Sequence, residues 1–430
     1  MGSFFRWANT RVRGVPPFRA VRSRSLIVVA GVPAALAGLL AFASPGSSSA
    51  SAVQAASAAN SGTSSGVANA YTFLNMMMDK YATGTTTRLV QSYNGGGVGN
   101  LTDSFTYDDA LIVDAYLNEG TPDGLTRAET IGNAFLYLQA HDPAADGRIR
   151  AAYAPHPLTS PSQISITDKT SDVGNMTWMA MALCELYNKT GNTAYLTGAE
   201  GIANWVVKNT HDTRGAGGYT GGDNPNGSKI TWKSTEHNTD AYAMFSMLAS
   251  ETGNSAWTAD ANWAKQFVAS MWIPSLGRFY VGTGTDGVTP NNSEKSEDIN
   301  SWTYLAFQNS AWAASLTWNI NNLSVSVGGF SGESFCKGAK GGVWFEGTGH
   351  MADALQFRNA SGDAALAAQY LTDIQHAQTN GLNNDGLGII AASINGLSDC
   401  DGGQYFASLH TGATSWYIMA SLKVNPFVLF

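Results

Sequence analysis

The hydrophobic positions of this chain recur in two alternating kinds of helical segment. Segments of the first kind are apolar on nearly every side, as in "VGNMTWMAMALCELY" (173–187), and such a helix is typically buried. We predict six of them, at 107–117, 173–187, 236–249, 298–307, 346–355 and 410–422. Their starts are roughly 50 to 67 residues apart, which indicates a tandem structural repeat.

Segments of the second kind are apolar at three- and four-residue spacing, as at Ile202, Trp205 and Val206, which is typical of half-exposed helices. We predict them at 67–81, 127–141, 193–209, 256–272, 309–318 and 362–379. Alternating buried and exposed helices predict an all-α fold, an (α/α)6 toroid of six helical hairpins. An open α-solenoid is the alternative, but its concave face meets water and the inner segments are too apolar for that.

The links between the predicted helices are unequal. Buried segments lead to exposed ones through short links such as "NKTGN" and "SETGN". Exposed segments lead back through long loops at 82–106, 142–172, 210–235, 273–297, 319–345 and 380–409. In an alternating ring all the long loops emerge on one face, where function usually lies, and their Gly and aromatic residues predict short β-hairpins there.

Acidic residues collect at the starts of the buried segments, on that same face: Asp108, Asp109, Asp172, Glu236, Asp240, Glu297, Asp298 and Glu346. Capping of the free N–H groups of a helix explains any one of them. Capping does not explain why so many acids surround one mouth, together with histidines and aromatic rings. We therefore predict a functional site at the mouth.

Flat rings and carboxylates suit sugars, which have apolar faces and many hydroxyl groups. Cleavage of a glycosidic bond needs a protonated carboxylic acid at the leaving oxygen and a second carboxylate opposite it. In an aromatic-walled mouth, one carboxyl can hold its proton while another stays charged.

The candidate catalytic residues are ranked by their local sequence. Glu236 follows Ser234, a natural N-cap, and is the first candidate for the general acid. Glu346 follows, because flanking glycines allow close approach of a substrate. Asp108 and Asp109 come third; their side chains diverge by about 100° on a helix, so only one faces the pocket. We predict substrate contacts by Asp172, His237, Asp240, Asp298, Trp232, Trp302, Trp344, Tyr219, Tyr280, His350 and His410.

The first 52 residues predict an export signal. Six arginines and no acid precede an apolar run at 25–43 and a small-residue stretch that contains Ala50-Ser51-Ala52. An uncleaved membrane anchor is the alternative. We divide the chain into a signal (1–52), a Ser/Ala/Gly-rich linker (53–66) and a catalytic domain (67–430).

Removal of the signal changes the charge. The chain carries 24 basic and 32 acidic residues, and without residues 1–52 it carries 18 against 32, a net charge of −14. Such a protein repels nucleic acid and anionic membranes. We expect a secreted monomer that binds a carbohydrate, with no nucleic-acid partner and no stable membrane association.

The spacing of the cysteines and acids matches no metal-binding or cofactor-binding motif. Cys336 and Cys400 lie in Gly-rich loops and form a disulfide or remain free, whereas Cys184 lies in an apolar segment and is expected to be a buried thiol. We predict no cofactor and no metal.

Taken together, the six hairpins, the signal and the motifs "TYDDAL", "STEHNTDAY" and "GGVWFEGTGH" resemble the bacterial six-hairpin (α/α)6 glycosidases. The resemblance covers about 67–430. It implies a glycoside hydrolase acting on an extracellular polysaccharide or oligosaccharide, and it assigns no catalytic pair.

Other functions remain open at this stage. A polysaccharide lyase on a similar toroid would use Tyr, His and basic residues, and the loops contain His211, His237, Arg214 and Lys233. A terpene-cyclase-like ring would use the paired aspartates, but the export signal and the lack of a basic diphosphate clamp argue against it. A non-catalytic sugar-binding protein is the third alternative.

Overall fold

The computed structural model describes residues 65–293 and 296–430, and the predicted all-α class is confirmed there. The described helices are α1 (65–79), α2 (Thr106–Glu119), α3 (Pro122–Ala140), α4 (Val173–Thr190), α5 (Thr193–Thr210), α6 (Thr235–Thr252), α7 (Ser255–Ser270), α8 (Asp298–Phe307), α9 (Ala314–Leu323), α10 (Phe345–Arg358), α11 (Asp363–Asn380) and α12 (Thr411–Leu422). The predicted signal (1–52) lies outside the described residues, as does the predicted linker except for 65 and 66, which belong to α1.

The even-numbered helices form a closed inner ring. Each contacts the next, and α12 returns to contact α2, so the open solenoid is excluded. The odd-numbered helices from α3 to α11 pack outside the ring against the inner helices that precede them. Helix α1 lies outside as well, where the hydroxyl of Tyr71 donates a hydrogen bond to the carbonyl of Ala115 in α2.

Two short links use the same three-residue device, Thr-Gly-Asn. Gly191 and Gly253 end α4 and α6 in the left-handed conformation, at φ 68° and 66°, which a glycine adopts without strain. The next residues, Asn192 and Asn254, then accept hydrogen bonds from backbone N–H groups of the following helices. These tight links hold each outer helix antiparallel to its inner partner.

Two outer helices differ from the sequence prediction. The segment predicted as a helix at 309–318 is a 3₁₀ turn at Ser310–Trp312 followed by α9, because Asn309 caps the short turn and the chain restarts at Ala314. Helix α3 begins at Pro122 and not at 127, because Thr121 caps it and proline favours the first helical position.

The described strands all lie in the long loops that lead from outer to inner helices. They are β1 (Tyr93–Asn94), β2 (Ser104–Phe105), β3 (Ala152–Tyr153), β4 (Ile166–Asp168), β5 (Ser171–Asp172), β6 (Gly222–Asp223), β7 (Lys229–Ile230), β8 (Trp272–Ile273), β9 (Arg278–Phe279), β10 (Gly282–Thr283), β11 (Pro290–Asn291), β12 (Ser324–Val327), β13 (Phe330–Glu333), β14 (Leu397–Ser398), β15 (Gln404–Tyr405) and β16 (Leu409–His410). All pairings are antiparallel, and β1 pairs with β16 so that Tyr93 lies opposite His410. The first and last loops are thereby joined on one face of the ring.

The interior of the ring is packed with tryptophans. The ring centroids of Trp178 and Trp302 lie 5.1 Å apart, and those of Trp302 and Trp416 lie 6.2 Å apart. Phe427 packs against Trp178 at 5.0 Å. The long loops therefore lie over a layer of packed aromatic side chains.

Among the described residues, no helix combines the length and apolar character needed to cross a membrane.

Candidate active site

A cavity opens among the long loops, over the N-terminal ends of the inner helices. It has a volume of about 550 Å³, its open mouth included. Thirteen residues line it: Tyr93, Phe105, Tyr107, Asp108, Glu236, Asp298, Trp302, Phe335, Trp344, Glu346, Asp399, Tyr405 and His410. Seven of the predicted site residues are among them: Glu236, Glu346, Asp108, Asp298, Trp302, Trp344 and His410.

The Glu236 side of the cavity favours protonated carboxyl groups. Glu236 follows the Ser234 cap of α6 and is 2% exposed. Burial raises its pKa well above the ordinary value, and the charges of Asp298 and Asp240 raise it further. Burial and the charge of Glu297 likewise raise the pKa of Asp298 to about 7. Among the described residues no basic side chain pairs with these acids, so this side of the cavity holds a proton near neutral pH.

The Glu346 side favours a charged carboxylate. Burial alone would raise the pKa of Glu346, but nearby His350 and His410 outweigh it and lower the pKa. His350 Nε2 lies 3.8 Å from Glu346 Oε1, and His410 Nδ1 lies 3.6 Å from Glu346 Oε2. The hydroxyl of Tyr107 donates a 2.7 Å hydrogen bond to Oε1 and itself accepts one from the indole of Trp416. Glu346 is thus oriented as well as ionised.

The two adjacent aspartates diverge, as predicted. Asp108 faces the cavity, where both of its oxygens lie 3.2 Å from His410 Nε2. Asp109 faces the other way and accepts hydrogen bonds from Ser104 and from the backbone N–H of Val90. Asp109 therefore anchors the loop before α2 and does not line the cavity.

Several buried polar atoms of residues that line the cavity have no hydrogen-bond partner among the described residues. They are Oε2 of Glu236 and the indole N–H groups of Trp302 and Trp344. Buried polar groups are normally paired, so unpaired ones on a cavity wall indicate a ligand that pairs with them. A ligand with hydroxyl groups along flat apolar faces would satisfy both the rings and these atoms.

Four predicted contact residues lie behind the cavity wall. Asp172 caps α4 by accepting a hydrogen bond from the backbone N–H of Asn175. Asp240 lies one turn below Glu236, fully buried, with no hydrogen-bond partner among the described residues for either oxygen. His237 is buried beside Trp232, and burial lowers its pKa to about 3, so it is neutral. His350 lies behind Glu346.

Three predicted aromatic contacts also lie off the cavity. Tyr219 is fully buried and its hydroxyl donates to Asp260 on the outer helix α7, because the glycine-rich loop folds inward to pack. The backbone carbonyl of Tyr280 accepts a hydrogen bond from Thr235 at the start of α6. Trp232 packs beside His237 and is 8% exposed. None of these three residues lines the cavity, and their contact with a substrate stays a prediction.

The glycines around Glu346 also serve a different purpose from the one predicted. A Cβ at Gly347 would lie 2.2 Å from the ring of Trp344, and one at Gly349 would lie 3.2 Å from Trp416. The glycines make room for tryptophans that pack on α10.

Six cavity residues are not among the predicted site residues: Tyr93, Phe105, Tyr107, Phe335, Asp399 and Tyr405. Phe335 and Asp399 are the immediate neighbours of Cys336 and Cys400, which form a disulfide. The disulfide joins the loop before α10 to the loop before α12, and Phe335, Trp344 and Tyr405 pack together beside it. A pairing of the two cysteines, had it been assumed, would have brought these neighbours to the same wall.

Removal of the disulfide is expected to destabilise the protein. In the double variant Cys336→Ser/Cys400→Ser, the free energy of unfolding should fall by about 2–4 kcal/mol, because the bridge spans 64 residues and constrains the unfolded chain. Denaturant unfolding measures this. Cys184→Ala, which alters a buried thiol outside the disulfide, is the control for loss of a cysteine. Equal stability with and without reductant in the wild type would contradict the prediction.

The described residues contain no group of three or more His, Cys, Asp or Glu side chains that could hold a metal ion.

The basic residues considered for a lyase form contacts outside the cavity. Lys233 Nζ donates to the backbone carbonyls of Arg214 and Gly217, and Arg214 pairs with Asp212. Within the described residues, the cavity lining includes no lysine or arginine.

Solved structures share this architecture at low sequence identity, although no protein-family model and no curated protein matches the chain. A D-mannose isomerase superposes with a TM-score of 0.60 at 10% identity, over 84% of this chain and 96% of its own. A sugar epimerase from a ruminal bacterium gives 0.60 at 12% identity, over 85% and 98%. A glycoside hydrolase family 76 mannosidase from Bacteroides thetaiotaomicron gives 0.56 at 13% identity, over 83% and 98%. The chain therefore has the six-hairpin (α/α)6 fold that these sugar-acting enzymes share.

Proposed function

We propose that this protein is a secreted glycoside hydrolase that cleaves an extracellular polysaccharide or oligosaccharide. The observation that carries the proposal is that one aromatic cavity contains carboxyl groups whose surroundings shift their pKa values in opposite directions. Surroundings that push the pKa values of two carboxyl groups apart are the arrangement that glycosidic cleavage needs.

In the proposed reaction, the Glu236–Asp298 pair supplies a proton to the glycosidic oxygen. The bond between that oxygen and the anomeric carbon breaks, and positive charge develops on the sugar ring. Glu346 supplies the charged carboxylate near the anomeric carbon. Water then adds its hydroxyl group to that carbon, and its remaining proton replaces the one that the carboxyl pair gave up. Glu236 is our first candidate for the proton donor because it lines the cavity and its buried Oε2 has no hydrogen-bond partner among the described residues.

The composition of the cavity favours a neutral sugar. Five carboxyl groups and no lysine or arginine line it, within the part of the chain that the structure describes. An anionic uronate would meet repulsion there, which argues against the lyase. The fold neighbours include a family 76 mannosidase and a glycosidase crystallised with glucose, which supports a hydrolase without identifying the sugar.

A sugar isomerase or epimerase is the second candidate, favoured by one observation. His410 lies on the cavity wall with its Nε2 against Asp108, and a histidine so paired can move a proton on and off a carbon atom. An isomerase and an epimerase also share the fold.

Mass spectrometry of the products separates these functions. The protein is incubated with a panel of neutral and acidic glycans and with free sugars. For a hydrolase, the product masses sum to the substrate mass plus one water. Products whose masses sum to that of the substrate would indicate a lyase, and an unchanged mass with a changed sugar would indicate an isomerase. No turnover of any member would contradict the hydrolase and favour a non-catalytic binding protein.

The pH dependence of kcat/KM is expected to be bell-shaped. Glu346 must be ionised, and because its pKa is held below the ordinary 4.5, the acidic limb should lie below that value. The Glu236–Asp298 pair must hold a proton, which it loses as the pH rises through about 7 or above. A single acidic limb above 6.5, the ordinary pKa of histidine, would contradict this assignment and favour His410 as the base. Burial alone would lower the pKa of His410, but the nearby Asp108 raises it.

We also propose that residues 1–52 direct export and are removed. Mass and N-terminal sequence of the protein recovered from culture medium test this. A mature N-terminus near residue 53 is expected, whereas recovery of the full-length chain in the membrane fraction would favour the anchor.

A further inference from the structure

A chain of buried polar groups leads away from the cavity behind Glu346. His350 lies one helical turn beyond Glu346 on α10 and is fully buried. Its Nδ1 lies 2.9 Å from Oε2 of Glu297, and its Nε2 lies 3.8 Å from Oε1 of Glu346. One imidazole therefore stands between two carboxylates, of which only Glu346 lines the cavity.

Glu297 is held firmly at the far end of this chain. Its side chain is completely buried at the start of α8. Asn319 of α9 donates hydrogen bonds to its backbone carbonyl, at 2.9 Å, and to its Oε1, at 3.3 Å. Its backbone N–H donates to the carbonyl of Phe335 in the disulfide-linked wall. Gly347 leaves room for this approach, since a Cβ there would lie 3.1 Å from Glu297 Oε2.

From this geometry, and resting on the proposed hydrolase function, we infer that Glu297 is a positioning residue. It holds His350 as a doubly protonated imidazolium whose Nε2–H faces Glu346 and keeps that carboxylate charged. Glu297 does not touch the substrate and acts only through His350. The second imidazole nitrogen has no hydrogen-bond partner among the described residues, and Glu346 Oε1, at 3.8 Å, is the carboxylate oxygen that it can pair with as an ion.

The other groups around His350 define what a titration should report. Glu297 and Asp298 face it from the start of α8, and Glu346 and Asp353 from its own helix, with the rings of Trp302, Trp344 and Trp416 around it. Burial alone would lower the pKa of His350, but the hydrogen bond to Glu297 and the nearby Glu346 raise it to about 9. Burial raises the pKa of Asp353 well above its ordinary value, so a charged Asp353 does not replace Glu297.

The first test is the pH profile of kcat/KM in Glu297→Gln. Without the imidazolium, the pKa of Glu346 rises and the acidic limb should move to higher pH by about one unit, so that activity falls about tenfold at low pH and less near neutrality. Asp298 loses both the charge of Glu297 and that of His350, which act on it in opposite directions, so the basic limb should move less. Asp114→Asn, at a buried acid of α2 outside the cavity, is the matched control and should leave both limbs in place.

A double-mutant cycle separates a relay from two independent effects. His350→Gln should move the acidic limb in the same direction, and Glu297→Gln should add no further shift once His350 is replaced. Additive shifts, or a loss of activity that is equal at every pH, would overturn the inference. If only one of the two single variants folds, the direction of its limb shift still tests whether Glu346 has lost a neighbouring positive charge.

NMR titration of the His350 imidazole needs no enzymatic activity. In the wild type the ring should stay protonated well above its ordinary pKa of 6.5, and in Glu297→Gln the pKa should fall. A wild-type ring that titrates near 6.5 would overturn the inference whatever the enzyme does. If no glycan is hydrolysed but the ring stays charged, the proposed function fails and the His350–Glu297 pair stands as a structural feature without a positioning role.

Discussion

Glu346→Gln is expected to lower kcat by about 10²–10⁴-fold on any glycan that the wild type hydrolyses. The amide keeps the size of the side chain and can still accept from Tyr107, but it carries no charge to act on the anomeric carbon. The acidic limb assigned to Glu346 should also disappear from the pH profile, because no titration restores a charged oxygen to the amide. Steady-state kinetics on the substrate found in the glycan panel measures it.

Glu333→Gln is the matched control for that substitution. Glu333 is also a fully buried glutamate, but it lies at the end of β13 and accepts hydrogen bonds from Tyr370 and Ser324, outside the cavity. Its replacement should change kcat by about twofold at most, which is small compared with the loss expected for Glu346→Gln. A Glu346→Gln enzyme as active as this control would remove Glu346 from the reaction.

Glu236→Gln is expected to lower kcat/KM by about 10²–10⁴-fold for natural glycans, because their leaving oxygen needs a proton. The loss should be much smaller for aryl glycosides with acidic phenol leaving groups, which depart without protonation. Comparison of the two substrate types in one variant thus distinguishes a proton donor from a residue that only binds sugar.

Asp298→Asn identifies which member of the coupled pair carries the proton. The two carboxyl groups interact strongly, so the basic limb belongs to the pair and not to one residue. If Asp298 is the donor, Asp298→Asn will show the dependence on leaving group and Glu236→Gln will not. Unchanged release of natural sugars by Glu236→Gln would contradict our first assignment.

The ring could be predicted from the sequence because its inner helices are apolar all round. All six inner helices begin within one residue of the predicted start, and α4 and α8 begin at the predicted Val173 and Asp298. The weaker outer helices were less predictable. Asn309 made a short turn look like the start of α9, and the Thr121-Pro122 signal for α3 was overlooked although its residues are typical of a helix start.

The cavity could be predicted only in part. The repeat places acids at the helix starts, so Glu236, Asp298 and Glu346 could be predicted as cavity residues. For Asp108 and Asp109 the sequence predicted that only one faces the cavity, but not which one. Asp399 and Phe335 depend on which loops meet, and that depends on the disulfide and on closure of the ring. Tyr219 was misplaced because a glycine-rich loop can fold inward as readily as it can cover a mouth, and its sequence does not distinguish the two.

The order of the inner helices around the ring also shows which candidate acids stand opposite each other. The inner helices follow one another as α2, α4, α6, α8, α10 and α12, so α6 stands opposite α12 and next but one to both α10 and α2. Glu236 therefore faces the His410 side of the ring, with Glu346 and Asp108 to either side. Asp298 of α8 stands opposite Asp108.

The most direct test of the account is a crystal structure of Glu346→Gln with the oligosaccharide that the wild type cleaves. We predict that the scissile bond lies in the cavity, with the glycosidic oxygen in hydrogen-bond reach of Glu236 or Asp298 and the anomeric carbon turned toward residue 346. A scissile bond that lies far from both Glu346 and the Glu236–Asp298 pair would contradict this prediction. A sugar carbon whose hydrogen lies against His410, as an isomerase would need, would also contradict it.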